Sequence, residues 1–362
     1  MKILDRYLTH EFIKVFFFAL FGFTLLVTAF RIQELLKIDT DEDKIHIYLH
    51  LLYTMPRTIA EIAPASLLFG VCFSMAQLAS NRELAAMQSA GVSFFRISAP
   101  LYIAGMLLTL FLFFFQNFIV AETNKAAQRE MTLLKKNTGV VHGLIWQKNL
   151  RGKSGYYFLY FFNTQKLEIQ GGFNYLEMRK GDSPRRMYQA ARAIYDRKNR
   201  DWLLKNAVIV DFSEDMKTMK VEKSPNYRMR FPEDVNFFAR PFRDPLELNV
   251  FELADEIDRR GKLGFSRKRY QVQLHASVAF PFLCIVLSLV GTIVGGRGAV
   301  RSSSPLIRSI LISAATMFVY ILAFNLGKNL GTGGVLPPWA AGWGPTVMFL
   351  FLSLYLLYKN RS

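Results

Sequence analysis

Long apolar segments alternate with polar ones along this chain. Six segments contain about 20 mostly apolar residues, which is the length that an α-helix needs to cross a bilayer. These segments lie near residues 12–30, 62–80, 97–121, 272–294, 305–326 and 339–358. Residues 45–60 predict a shorter helix that leads into the second segment and can be continuous with it. The pattern therefore predicts an α-helical membrane protein with six transmembrane helices in two groups of three.

A region with a different pattern separates the two groups of spans. Residues 125–248 contain β-branched and aromatic runs, such as YYFLYFFN at 156–163, which partly alternate with polar residues and are interrupted by Gly, Pro, Asn and Asp. Such runs are typical of antiparallel strands. They predict one inserted all-β domain of sandwich type at 125–248, between membrane regions at 1–124 and 249–362. A polar helix at 249–262 is expected to lead back to the membrane.

Lys and Arg residues in the short loops indicate the orientation, because cytoplasmic loops carry the excess of positive charge. The loops on the N-terminal side carry Lys2, Arg6, Lys14, Arg82, Arg96, Arg297, Arg301, Arg308, Lys359 and Arg361. The short loops on the opposite side carry Arg31, Lys37, Lys44, Arg57 and Lys328. Both termini are therefore predicted in the cytoplasm, and the β domain is predicted on the outer side of the membrane.

Composition supports the membrane interpretation. Apolar residues make up 51% of the chain, and 33 residues are Phe. The net charge of +17 would suggest nucleic-acid binding in a soluble protein, but in a membrane protein it can face anionic lipid, so no nucleic-acid partner is expected. Cys72 and Cys284 both lie in apolar segments, which argues against a disulfide framework or a zinc site.

Catalytic and nucleotide-binding patterns are not evident in the sequence. GKS at 152–154 lacks the Gly that a phosphate-binding loop carries five residues earlier, so a turn is the better interpretation. His46 and His50 could share a helix face as metal ligands, but without a third ligand nearby an interfacial helix is favoured. Glu61 is the one approximate candidate for a proton relay, and it lies at a span boundary near Arg57. We therefore expect neither an enzyme, nor a cofactor or metal, nor transport driven by an ion gradient.

Basic residues gather at the outer ends of the predicted spans. They could hold the phosphate groups of an amphiphile whose acyl chains lie between helices. The alternative is ordinary snorkelling toward bilayer headgroups. Arg31 is the best single candidate, because it directly ends the first span. The substrate-binding candidates are Arg31, Lys37, Arg57, Lys262, Arg267, Lys268 and Arg269, the last four belonging to a basic cluster that also contains Arg259 and Arg260.

The stretch NRELAAMQSAGVS at 81–93 lies between the second and third spans and is rich in small residues. It predicts a short helix that Asn81 caps and Gly91 ends. Small side chains would let such a helix lie close against a partner protein, and Arg82 and Glu83 would offer it charges. A solvated turn is the alternative.

Three stretches carry a resemblance to a known family. ILDRYL at 3–8, NRELAAMQSAGVS at 81–93 and RYQVQLHASVAFPFLCIVLSLVGTIVGGR at 269–297 resemble the YjgP/YjgQ family, the LptF/LptG permease subunits of the lipopolysaccharide export ABC transporter. The resemblance covers essentially the whole chain. It implies an inner-membrane permease with a jellyroll-like periplasmic domain, in an exporter that extracts lipopolysaccharide from the outer leaflet of the inner membrane for delivery to the outer membrane.

The resemblance also implies partners and roles for individual residues. The partners would be a second LptF/LptG-type permease in a heterodimer, a cytoplasmic ATPase dimer, a periplasmic bridge protein and lipopolysaccharide. Arg82, Glu83, Leu84 and Met87–Gly91 fall on the helix that couples the permease to its ATPase, and Arg31 falls on a basic position facing the lipid phosphates. ILDRYL and MQSAG lean toward the G-like subunit, but the F-like subunit stays open. A receptor or scaffold with a ligand-binding β domain, or a secondary carrier, are the alternatives.

Overall fold

The chain folds into a helical unit and a β unit. The computed structural model describes residues 2–35, 44–134, 144–163, 165–179, 183–213, 218–239, 244–262, 265–298 and 305–359. The helical unit comprises Met1–Leu134, Pro245–Asp255 and Lys268–Ser362, and the β unit comprises Lys135–Asp244 and Glu256–Arg267. Most of the β domain predicted at 125–248 is therefore a compact unit of its own, but residues 125–134 and 245–248 belong to the helical unit, because helical structure continues past the apolar segment of the third span.

Six helices are long and apolar enough to cross a membrane, which confirms the predicted spans. The predicted helix at 45–60 is continuous with the second span, as the apolar pattern allowed. The third span continues through one π-helical segment, Phe115–Val120, into a further helix. The membrane helices are α1 (Lys2–Leu35), α2 (Lys44–Ser80), α4 (Phe94–Phe114) with α5 (Ala121–Leu134), α8 (Lys268–Gly298), α9 (Pro305–Thr332) and α10 (Pro338–Lys359).

Three shorter helices complete the set in the described residues. They are α3 (Glu83–Ser89), α6 (Val235–Ala239) and α7 (Val250–Lys262). α7 confirms the polar helix predicted before the fourth span. α6 was not predicted, because a single turn of VNFFA carries no helical period of its own.

α2 and α8 form the centre of the helical unit. Of the most apolar stretch of each helix, 72% is buried in α2 and 67% in α8, against 17% in α1. Fully buried residues such as Leu67, Leu68, Leu283 and Leu287 meet between them. The apolar faces of α1 that remain uncovered are suited to lipid or to another protein chain, because no water-soluble surface would carry them.

The β unit contains seven antiparallel strands in one hydrogen-bonded sheet, which confirms the inserted antiparallel β domain. The order is β1-β2-β3-β4-β6-β5, and β7 pairs with β6. β3 pairs with β5 at its beginning and with β4 over the rest of its length. The strands are β1 (Leu144–Arg151), β2 (Gly155–Asn163), β3 (Glu168–Met178), β4 (Pro184–Ala190), β5 (Arg192–Asp196), β6 (Asp201–Phe212) and β7 (Met219–Met229).

An aromatic core fills one face of this sheet. Alternation along β2 buries Tyr157 and Leu159 and leaves Phe158 and Tyr160 exposed. The Tyr157 ring stacks on Tyr175 with a centroid separation of 4.3 Å. Burying one such side chain contributes about 1.5–3 kcal/mol. GKS at 152–154 lies in the turn between β1 and β2, where the Gly152 amide donates to the Gly155 carbonyl at 2.8 Å.

A buried polar contact closes this core. The Tyr157 hydroxyl donates a hydrogen bond to Glu233 Oε2, and the Lys153 amide donates to Glu233 Oε1 at 2.5 Å. Glu233 is itself buried, so it needs these donors to offset its desolvation. The contact attaches the segment before α6 to the turn between β1 and β2.

Strongly alkaline pH is expected to destabilise the β unit. Burial raises the pKa of the Tyr157 hydroxyl above its usual value of 10.0, and burial likewise raises the pKa of Tyr175 and Tyr188. The folded state therefore binds these protons more tightly than the unfolded state, so the stabilisation is complete below pH 10 and decreases as the pH rises beyond it. Thermal unfolding followed by circular dichroism, from neutral to strongly alkaline pH, measures how steeply the stability decreases with pH.

Two variants of β2 separate this effect from general alkaline damage. Tyr157→Phe should be less stable at neutral pH but should lose stability less steeply above pH 10. Tyr160→Phe is the matched control, because Tyr160 lies on the same strand and is 49% exposed. An identical alkaline slope in wild type and Tyr157→Phe would contradict the assignment.

Candidate functional site

α3 lies in a tight connection between α2 and α4. Arg82 precedes it in the left-handed conformation, with φ at +59°, which is uncommon for a residue with a Cβ. The predicted Asn81 cap is wrong: Arg82 occupies the cap position, and the Asn81 amide donates instead to Glu83 Oε1 at 3.1 Å. Gly91 ends the segment as predicted, with φ at +85° and its N–H bonded to the Gln88 carbonyl at 3.0 Å.

The predicted coupling residues divide between two faces of α3. Leu84 is 6% exposed and joins the core of the helical unit, and Met87 packs against the same core. Arg82, Ala86 and Ser89 lie on the exposed face at spacings of three and four residues. The inward residues therefore fix the position of α3, and the small exposed residues are the ones available to another molecule.

The connection is also tied to the first membrane helix. Arg96, near the beginning of α4, donates two parallel hydrogen bonds to Asp5 on α1, with Nη1–Oδ1 and Nη2–Oδ2 distances of 2.9 and 2.8 Å. Bidentate pairs of this kind fix orientation as well as distance. This contact links the beginning of α4 directly to the beginning of α1.

A second polar site lies toward the other end of the same helices. Arg31 on α1 donates to Glu61 Oε2 at 3.1 Å, and Arg57 on α2 donates to Glu61 Oε1 at 2.7 Å. We call these three residues the Glu61 clamp. Glu61 precedes Ser80 by a helical rise of about 28 Å, close to the thickness of a bilayer core. The Glu61 clamp and α3 are therefore separated along α2 by about the thickness of a bilayer core.

A cavity of about 400 Å³ adjoins the Glu61 clamp inside the helical unit. Its lining combines cations and amides with aromatic and aliphatic side chains, which suits an amphiphilic ligand. Lys328 belongs to it, because α9 extends to Thr332 instead of ending before this lysine, and its ammonium lies 5.8 Å from the centre of the Phe324 ring. The lining includes Arg57, Glu61, Gln116, Asn117, Asn124, Gln273, Phe280, Phe324, Asn325 and Lys328.

Two buried asparagines shape this cavity, and sequence reasoning missed both. Asn117 Oδ1 accepts a hydrogen bond from the Val250 amide at 2.9 Å. Asn124 Nδ2 donates to the Leu246 carbonyl at 3.0 Å. They hold the chain segment that leads into α7 against the π-helical segment and α5. For Asn117 the available signal was an asparagine within an apolar span, which is costly unless it is hydrogen-bonded. Asn124 lies beyond the predicted third span and gave no such signal.

The basic cluster at 259–269 does not form a single cationic site. Half of its members pair with acidic side chains, and the others are divided between the two units. Arg259 and Arg260 both donate to Glu256, at 2.6 and 3.3 Å. Lys262 lies 2.6 Å from Asp258, and their hydrogen bond raises the pKa of the lysine. The exposed Arg267 belongs to the β unit with Lys262, whereas the exposed Lys268 and Arg269 begin α8 in the helical unit. Lys37 lies outside the described residues.

The two histidines considered as metal ligands connect α2 to α5. His46 Nδ1 lies 2.6 Å from Glu130 Oε2, and His50 Nδ1 donates to the Ala127 carbonyl at 2.8 Å. Within the described part of the chain, no cluster of His, Cys, Asp and Glu side chains could hold a metal ion.

The whole chain matches one family model. Residues 6–359 match the model described as lipopolysaccharide export system permease LptF/LptG. No curated protein matches the chain. The matched region contains all six candidate spans almost completely, together with the inserted β unit and α3.

Proposed function

Because the chain belongs to the LptF/LptG family of lipopolysaccharide export permeases, we propose that it is one permease subunit of an ATP-driven exporter of lipopolysaccharide. In this proposal, the subunit takes lipopolysaccharide from the outer leaflet of the inner membrane and passes it to a periplasmic bridge for delivery to the outer membrane. The match over residues 6–359 is the observation that carries the proposal. The chain is a membrane permease component of the lipopolysaccharide export system, whichever of the two subunit types it represents.

The proposed topology follows the distribution of basic residues. α3 and both termini face the cytoplasm, and the β unit with the Glu61 clamp faces the periplasm. The membrane is then the bacterial inner membrane. In this topology, the ATPase acts on the cytoplasmic side of the permease, and the lipid binds on the periplasmic side.

We propose one surface of the chain for each protein partner. A second LptF/LptG-type permease would cover apolar faces of α1, α9 and α10, which leave large side chains such as Phe18, Phe318 and Phe351 exposed. A cytoplasmic ATPase dimer would dock on the exposed face of α3. A periplasmic bridge protein would receive the lipid from the β unit.

The proposed substrate contacts are the arginines of the Glu61 clamp. Arg31 and Arg57 present guanidinium groups at one membrane boundary, and a guanidinium suits a phosphate better than any other side chain does. Lys37, Lys262, Arg267, Lys268 and Arg269 stay substrate-binding candidates of the same kind.

Copurification tests the proposed function. The tagged chain, extracted in mild detergent, should bring with it a second permease of the same family, an ATPase and lipopolysaccharide. Reconstituted into vesicles with these partners and the bridge protein, it should release lipopolysaccharide only when ATP is hydrolysed. A chain that purifies without an ATPase, and whose vesicles release no lipid, would indicate a receptor or scaffold instead. Release that needs an ion gradient and no ATP would indicate a secondary carrier.

Charge reversal at Arg31 is expected to weaken the contact with lipid. Arg31→Glu would place a second carboxylate beside Glu61, so a lipid phosphate would meet repulsion in place of a hydrogen bond. We expect photo-crosslinking of lipopolysaccharide from the adjacent Phe30 position to decrease by about tenfold, because a charged hydrogen bond contributes roughly 1.5 kcal/mol. Lys14→Glu on the same helix is the control, since Lys14 lies near the opposite boundary. Unchanged crosslinking from Arg31→Glu would exclude a phosphate contact at this residue.

A further inference from the structure

Glu61 holds both arginines of the clamp at once. Each of its carboxylate oxygens accepts a hydrogen bond from a different helix, Arg31 on α1 and Arg57 on α2. It is also the only acidic residue among the described residues that line the adjoining cavity, where Arg57 and Lys328 lie as well. A carboxylate that bridges two guanidinium groups occupies the place that a phosphate would take.

We propose that Glu61 determines lipid specificity by competing for Arg31 and Arg57 until a phosphate group displaces it. This inference rests on the proposed function, in which the two arginines contact the lipid. Removing the competitor would increase binding to every headgroup that carries a phosphate. With Glu61 in place, a ligand can bind both arginines only if it carries more negative charge and more acceptor oxygens than a carboxylate does.

The charges around the clamp favour a phosphomonoester. Among the described residues of the clamp and its cavity, Arg31, Arg57 and Lys328 are three cations against the one carboxylate of Glu61, which leaves a net charge of +2. A phosphomonoester carries close to two negative charges at neutral pH and has three acceptor oxygens. A zwitterionic phosphodiester lipid carries one negative charge that its own ammonium group balances, so it competes poorly with Glu61. The clamp therefore distinguishes phosphorylated glycolipid from the ordinary lipids of the bilayer.

Fold stability does not account for this arrangement. The side chains of Arg31, Arg57 and Glu61 are 31%, 35% and 44% exposed, and ion pairs at such exposure add little to stability. The packing of α1 on α2 is carried by buried apolar residues near the other end, including Phe12 and Phe16. Replacing Glu61 by its neutral isostere should therefore leave the fold intact.

Crosslinking in lipid nanodiscs tests the inference. Purified full-length protein carries a photoreactive residue in place of Phe30 and is placed in a phosphatidylcholine bilayer with either lipid A or its dephosphorylated form. Wild type should crosslink lipid A well above the dephosphorylated lipid and above phosphatidylcholine. In Glu61→Gln, crosslinking to phosphatidylcholine should rise by about two- to fivefold, the range expected for partly exposed arginine contacts. The selectivity for lipid A should fall accordingly.

Two further variants separate specificity from structure. Glu61→Asp keeps the charge and should retain much of the selectivity. Glu122→Gln is the matched control, because Glu122 is an exposed carboxylate of the same unit that pairs with Lys125, which also contacts Glu252. This control should leave the selectivity unchanged, and all variants should elute and unfold like wild type.

The outcomes distinguish the inference from the function on which it rests. Selective crosslinking by wild type together with unchanged selectivity in Glu61→Gln would overturn the role of Glu61 and leave the arginine contacts standing. Failure of wild type to crosslink lipid A would overturn both the role of Glu61 and the proposed contact of the arginines with the lipid. Inorganic phosphate in excess should not displace the lipid, because it brings no acyl chains. Displacement would assign the clamp to free phosphate and overturn its role in lipid selection.

Discussion

A tryptophan in place of Ala86 is expected to uncouple lipopolysaccharide export from ATP hydrolysis while leaving the permease folded. Ala86 lies on the exposed face of α3, beside Arg82 and Ser89, which is the face proposed to dock the ATPase. A large side chain in a packed interface costs about 1–3 kcal/mol. We therefore expect ATP-dependent export to fall roughly tenfold or more, because the ATPase would dock poorly or at an altered angle.

The measurement is ATP-dependent lipid release from vesicles that contain the complete exporter, together with copurification of the ATPase. Val335→Trp is a size-matched control, since Val335 is 73% exposed in the connection between α9 and α10, outside the proposed docking face. Normal export and normal ATPase recovery from Ala86→Trp would exclude this face of α3 as the docking surface.

Leu84→Ala should behave differently, although both residues belong to the same short helix. Leu84 is buried against the helical core, so its truncation leaves a cavity and costs about 2–4 kcal/mol of stability. Its export defect should therefore follow the lower amount of folded protein. Specific activity per folded molecule separates this packing effect from the docking effect of Ala86→Trp.

The sequence predicted α3 as an element but could not assign its faces. NRELAAMQSAGVS supplies the Gly that ends the helix, and that local rule was correct. Seven helical residues contain too few apolar positions for a periodic signal, so Glu83, Leu84 and Met87 were predicted together as coupling residues. The division into Leu84 inside and Ala86 outside depends on the packing of α3 against the helical core, which is a tertiary effect.

The Glu61 clamp shows a similar limit. Arg31 and Arg57 were each predicted as substrate contacts from their places at span ends, and Glu61 was noted only as a weak relay candidate. Their meeting requires α1 to lie beside α2 in a particular register, and a sequence separation of 30 positions between Arg31 and Glu61 does not specify that register. Lys328 was counted as a loop residue, because the apolar pattern of the fifth span ends before the helix does.

The spans themselves were predictable because about 20 apolar residues have few other stable arrangements. Which spans are buried and which are uncovered could not be predicted. Hydropathy is similar for α1 and α8, yet one is mostly uncovered and the other mostly buried. In a bilayer, lipid and protein neighbours are about equally apolar, so small residues that permit close approach decide which helices pack. GTIVG at 291–295 is such a signal, and it lies on the buried helix α8.

Gly295→Leu is therefore expected to destabilise the helical unit strongly. A Cβ at Gly295 would lie 2.6 Å from the Cys72 carbonyl oxygen and 3.1 Å from the Cys72 Cα, both backbone atoms of α2. A backbone cannot rotate away as a side chain can, so α8 would have to move from α2. We expect a loss of about 3 kcal/mol, the upper part of the range for overpacked cores.

Gly22→Leu on α1 makes the same chemical change without the collision, because a Cβ at Gly22 has no atom within 4 Å. Leu is a better helix former than Gly, so this variant should be as stable as wild type or slightly more stable. Unfolding midpoints in detergent, with the recovered amount of monodisperse protein, compare the two. Equal midpoints would mean that α2 and α8 can separate without loss of stability. The contact between them would then not be what holds α3 and the Glu61 clamp in place.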